Sequence, residues 1–177
     1  MNNLSTNTLG IDATLKSFQE DLYGSLIRFL DNVDGYGRVY KNDSAEGGAT
    51  PEWWNESKKS YEEMYLDNKK EVVFYFIVGE NHETEDGSYF TAPLKVVFIF
   101  DLLKLDTPNR ADAEAQKIAV SSIQKDVDVA FDINGIEIGI ENVFLGFDIS
   151  KIKFDDMQPF HIFSVNGTVG YYLTQNC

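Results

Sequence analysis

The sequence predicts an α+β domain in which two helices pack on a mainly antiparallel sheet. Residues 12–31 and 110–127 carry apolar residues at helical spacing, residues 71–78 and 89–101 are dense apolar runs split by a polar turn, and residues 160–173 alternate. With 177 residues, 43% of them hydrophobic and 14% aromatic, the chain can bury one sizeable core but hardly two, so residues 1–177 are expected to form a single domain.

The first helix is read from Leu15, Phe18, Leu22, Leu26, Phe29 and Leu30, which recur on one face across residues 12–31. Thr8 or Asp12 can cap its start, and Asn32, Asp34 and Gly35 supply residues that end helices. Residues 35–68 then change character to Gly, Asn, Asp, Glu, Lys and aromatics without regular periodicity, which predicts a long loop excursion. Its first half is polar and Gly-rich. Its second half carries Trp53, Trp54, Tyr61, Met64, Tyr65 and Leu66, the last four at helical spacings.

Residues 71–78 follow as a strand with both faces apolar, hence central in its sheet. The turn signal Asp86-Gly87 returns the chain through Leu94 to Asp101, which predicts a long antiparallel hairpin. The second helix presents Ala111, Ala115, Ile118, Ala119, Ile123 and Val127 as one stripe, with Asn109 as its cap. Asp112 and Glu114 in its first turn and Lys117 and Lys125 nearer its end match the helix dipole. Short β segments are read at 131–134 and 136–140. In the closing strand Phe163, Val165, Val169, Tyr171 and Leu173 share a parity, and Gly167 and Gly170 signal a bulge or a close backbone approach.

Composition limits the chemistry. Cys177 is the only cysteine, so no intramolecular disulfide can form, and with only two histidines a His/Cys metal site is not expected. His161 reads as a strand residue bonded to backbone and His82 as a loop residue. Acidic pairs such as Glu62-Glu63 and Asp155-Asp156 are too abundant to be diagnostic, and residues 80–87 lack the ligand alternation of an EF-hand. The glycines fit neither a P-loop nor a dinucleotide fingerprint. No catalytic residue, cofactor-binding residue or metal ligand is therefore assigned, and the protein is expected not to be an enzyme. A hydrolase using two carboxylates is the least supported alternative, because no acid pair stands apart.

The balance of 29 acidic against 15 basic residues gives a formal charge of -14, which disfavours gripping DNA through a basic face. No apolar run approaches the roughly 20 residues of a membrane helix. The N-terminal residues lack the basic flank and apolar core of a signal peptide, so no membrane association is expected.

The element order, with a second helix opening Asn109-Arg110-Ala111-Asp112-Ala113-Glu114-Ala115 and a last strand announced by Asp156-Met157-Gln158-Pro159-Phe160-His161-Ile162-Phe163, resembles tail-completion and tail-terminator-like proteins of tailed bacteriophages. The resemblance implies a homo-oligomeric ring subunit at the head-to-tail junction or tail end. Its partners would be copies of itself and the neighbouring neck, portal or tail proteins. DNA would pass through an acidic lumen without being gripped, and the protein would reside in the virion after assembly in the host cytoplasm. The competing reading is an acidic binding or inhibitor protein acting as monomer or dimer. The adjacent tryptophans fit either a lid over the core or burial in a neighbouring subunit. On the ring reading the 35–68 excursion reaches outside the domain, with Trp53, Trp54, Tyr61 and Tyr65 as the candidate inter-subunit contacts.

Overall fold

A computed structural model describes residues 2–4, 9–43, 48–64, 69–105, 111–149 and 159–173. In chain order the elements are β1 (Asn2–Asn3), α1 (Gly10–Leu26), β2 (Val33–Asp43), β3 (Ala49–Asn55), β4 (Ser60–Glu63), β5 (Val72–Val78), β6 (Glu83–Thr84), β7 (Tyr89–Asp101), a 3-10 turn at Leu102–Lys104, α2 (Ala111–Asp126), β8 (Phe131–Ile138), α3 (Ile140–Val143) and β9 (Phe160–Tyr172). The strands join in one mostly antiparallel sheet of order β4-β3-β2-β5-β7-β9-β8, with β1 beside β2 and β6 beside β7. The fold class is the α+β arrangement that the periodicity predicts.

The central strand explains its own composition. β5 lies between β2 and β7, and its two faces feed two apolar clusters, Phe74 and Phe76 on one side and Val73 and Tyr75 on the other, so neither face can be polar. On the helical face, Phe74, Phe76, Phe98, Phe100, Phe163 and Val165 pack beneath Leu15, Phe18 and Leu22 of α1 and Ala115, Ala119 and Ile123 of α2. The alanines let α2 approach the sheet closely. On the opposite face, Val73, Tyr75, Val97, Ile99 and Ile162 lie under Val143 and Phe144, which end α3. The predicted hairpin is present from Val72↔Phe100 to Val78↔Leu94.

Several details differ from the sequence reading. α1 stops at Leu26, before the predicted Asp31, and Phe29 of the predicted stripe is 60% exposed. Past the helix, the Glu71 carboxylate accepts the backbone N–H groups of Asp31 and Asn32 and ties the turn to the start of β5. Asp12 lies within the first turn and is not the cap, which is Leu9, while Thr8 and the proposed cap Asn109 lie outside the described residues. The two short segments at 131–134 and 136–140 form one strand, β8, joined across an irregularity between Ile133 and Gly135, and Ile140 begins α3.

The largest correction concerns residues 35–68, predicted as a loop excursion leaving the domain. The described part is a β wing that continues the sheet: β2 pairs with β5, β3 with β2 and β4 with β3. Val39, Ala49 and Thr50 are buried there. Gly35, one of the glycines that suggested a loop, is a packing position. A Cβ on Gly35 would come within 2.6 Å of the Phe74 ring. A register shift between Gly35 and Arg38 breaks the alternation that would have marked β2 as a strand.

Gly167 of β9 bears out the predicted close approach, because a Cβ there would collide with the Asp132 carbonyl and the Phe131 ring of β8.

Candidate interaction surface

The wing decides where the candidate aromatics point. Successive strand residues face opposite sides, so Trp53 and Trp54 are separated by the sheet. Trp53 sits opposite Val39, meets Tyr36 edge-on with ring centroids 4.9 Å apart, and packs half-buried against the core away from the helices. It behaves as a lid on its own core. Trp54 pairs with Tyr61 across β3 and β4, edge-on at 5.1 Å, and the two are 36% and 48% exposed. Tyr65 lies outside the described residues.

A second pair extends the exposed cluster. Tyr40 of β2 meets Tyr61 edge-on at 5.4 Å, and the Arg38 guanidinium lies 5.0 Å over the Tyr40 ring. Burial, with the Asp12 carboxylate as the next contribution, raises the Tyr40 phenol above its usual range, so it stays neutral. Arg38, Tyr40, Tyr61 and Trp54 thus form a continuous aromatic and cationic strip. Sequence reasoning missed Tyr40 and Arg38. Their signal was a shared parity in β2, hidden by the irregularity just before Arg38.

The other margin of the sheet is aliphatic. Ile136 and Ile138 of the outer strand β8 are 41% and 51% exposed, although their cross-strand partners Val165 and Phe163 are fully buried. The intervening Glu137 points to the other face, where the Lys95 ammonium meets it at 2.5 Å. Charge on that edge is therefore locally compensated.

The titratable groups hold structure together. His82 bridges the β5–β7 turn, with Nε2 3.1 Å from the Gly79 carbonyl and Nδ1 2.5 Å from the Tyr171 hydroxyl. An imidazole that donates from Nε2 and accepts at Nδ1 satisfies both. Asp86 accepts the N–H groups of Ser88 and Tyr89, which holds its carboxyl down at about 2. His161, expected to bond to backbone, instead accepts from the Gln116 side-chain amide of α2 at 3.0 Å. It lies in β9, between β7 and β8 in the sheet, and burial lowers its pKa, the nearby Asp112 opposing. No group of three or more His, Cys, Asp or Glu side chains converges to hold a metal among the described residues. Nor is any helix among them long and apolar enough to cross a membrane. Cys177 lies outside them.

Compared with protein-family models and with curated proteins, the sequence matches none.

Proposed function

We propose that this chain is a structural subunit that assembles with copies of itself into a ring at the neck or tail of a tailed bacteriophage, through which DNA passes without being gripped. The observation that carries the reading is unsheltered apolar surface at both outer margins of one sheet: Trp54 with Tyr61 on the β3–β4 side, Ile136 with Ile138 on β8. Two different sticky margins on opposite sides favour head-to-tail contact, which closes into a ring when the rotation per subunit allows. A formal charge of -14 supports a lumen that repels phosphate.

Light scattering across a protein concentration series tests the assembly. The wild-type mass should reach a fixed multiple of 20.1 kDa. The double variants Trp54→Ala/Tyr61→Ala and Ile136→Ser/Ile138→Ser should stay monomeric with melting temperatures close to wild type. A wild type that remains monomer or dimer at every concentration would favour the acidic binding-protein alternative.

A further inference from the structure

The sheet comes apart in one place. β2 and β5 run paired from Val33↔Val72 to Val39↔Ile77. Beyond that point β5 ends and the chain turns back at Gly79, whose N–H donates to the Pro93 carbonyl at 2.8 Å. β2 continues to Asp43 with β3 on its outer side, from Tyr40↔Glu52 to Asp43↔Ala49. Among the described residues the inner side of Tyr40–Asp43 has no strand beside it. Backbone donors and acceptors in an extended stretch like this are a template for one more strand.

A cleft of about 560 Å³ opens at this divergence. Its lining includes three cationic side chains, Arg38, Lys41 and Lys95, against the single acid Glu80, in a chain of net charge -14. Lys95 is engaged by Glu137 and by the Asn142 carbonyl, and Arg38 lies 3.9 Å from Asp12. Lys41 makes no ion pair among the described residues and lies against the Gly146 turn, where a Cβ would come within 3.2 Å of its ammonium. Ile77 and Phe147 give the same cleft apolar wall.

We propose that this cleft is a docking site for an extended, acid-bearing segment of another protein, which adds a strand to the free side of β2 and sets its carboxylates near Lys41 and Lys95. The free backbone selects an extended chain over a compact anion, and the cationic lining selects acidic side chains. The cleft lies between β2 and the Val78–Glu80 turn, so an entering segment would pair with β2 along one side. The outer strands β4 and β8 of a second copy each carry a sheet behind them and are poor candidates to enter. The cleft shares Arg38 and Tyr40 with the aromatic strip but needs no ring assembly, so the proposal survives failure of the ring reading.

The test uses the full chain and a fluorescein-labelled octapeptide alternating Val and Glu. Controls are the Val/Lys counterpart and a Val/Glu version with backbone N-methylation along the edge facing β2. Fluorescence anisotropy should show saturable, salt-weakened binding of the Val/Glu peptide, and about ten-fold or greater weakening by N-methylation or by Lys41→Glu. Lys41 is exposed, so that substitution leaves the fold intact. Hydrogen exchange should slow at alternate amides of Tyr40–Asp43 only when the peptide is present. Equal binding of the Val/Lys peptide, insensitivity to Lys41→Glu or absence of binding would each overturn the proposal. Protection of those amides that rises with protein concentration alone would also overturn it, by seating a second copy in the cleft.

Discussion

Phe98 is the residue on which the sheet reading rests most heavily, and replacing it with Ala should cost a large share of the stability. It sits in the middle of β7, fully buried, stacked on Phe163 with centroids 5.3 Å apart and flanked by Phe100 at 6.2 Å and Phe74 at 6.3 Å. Burying a Phe side chain contributes about 1.5–3 kcal/mol. The stacked pair adds about 0.5–1.5 kcal/mol. A cavity term follows because the three neighbouring rings cannot all collapse into the space, so the total should come to about 3–5 kcal/mol. For a chain of this size that corresponds to a melting temperature lowered by roughly 6–20 °C. Urea unfolding should show a lower midpoint at an unchanged slope. Phe29→Ala is the matched control, since that ring belongs to the predicted helical stripe but lies exposed past the end of α1. It should cost less than about 0.5 kcal/mol. Equal effects at the two positions, or an unchanged midpoint for Phe98→Ala, would refute the placement of the core.

Further predictions follow from single contacts. The Tyr75 hydroxyl is buried with no hydrogen-bond partner among the described residues, so Tyr75→Phe should stabilise the protein by about 1 kcal/mol in chemical unfolding. Gly167→Ala should destabilise by about 1–3 kcal/mol, because the new methyl must push β8 away from β9, and hydrogen exchange should localise the loss to those two strands. His161 has a folded pKa below its unfolded value, so its neutral form is favoured by folding: stability is retained above about pH 6.5 and falls as the pH drops through that value toward the lower folded pKa. Unfolding midpoints at neutral and mildly acidic pH should therefore converge between wild type and His161→Asn on acidification, and a parallel pH dependence would remove His161 as the cause.

The parts of the fold legible in the sequence are those where burial dictates composition over many residues. β5 needed apolar side chains on both faces, β9 on alternate positions, and α1 and α2 along one stripe, and each pattern runs long enough to be read. The wing was not legible for three physical reasons. β4 is four residues long, too short to display a period; of the residues read at helical spacing Tyr61 lies in β4 and Met64 follows it, while Tyr65 and Leu66 lie outside the described residues. β2 changes register between Gly35 and Arg38, and Gly35 marks close packing against Phe74 where composition suggested a loop. The wing also covers only part of its surface, so polar residues are tolerated on it. The candidate site was half legible: Trp54 and Tyr61 come together as an exposed pair, whereas Trp53 is spent on its own core and Tyr40 and Arg38 were overlooked. The turn after α1 is held by Glu71 through its contact with Asp31, residues 40 apart in sequence, which no local pattern encodes.

If apolar margins on the two sides of one sheet join neighbouring copies, the purified protein forms closed rings. Negative-stain electron microscopy of the purified protein, over a concentration range reaching that of the largest light-scattering mass, tests it most directly. The expected class averages are closed rings of uniform copy number with an open centre wide enough for a DNA duplex, and these should be lost in Trp54→Ala/Tyr61→Ala. A field of monomers, of dimers or of irregular aggregates at every concentration, or rings that persist unchanged in both margin variants, would contradict the account.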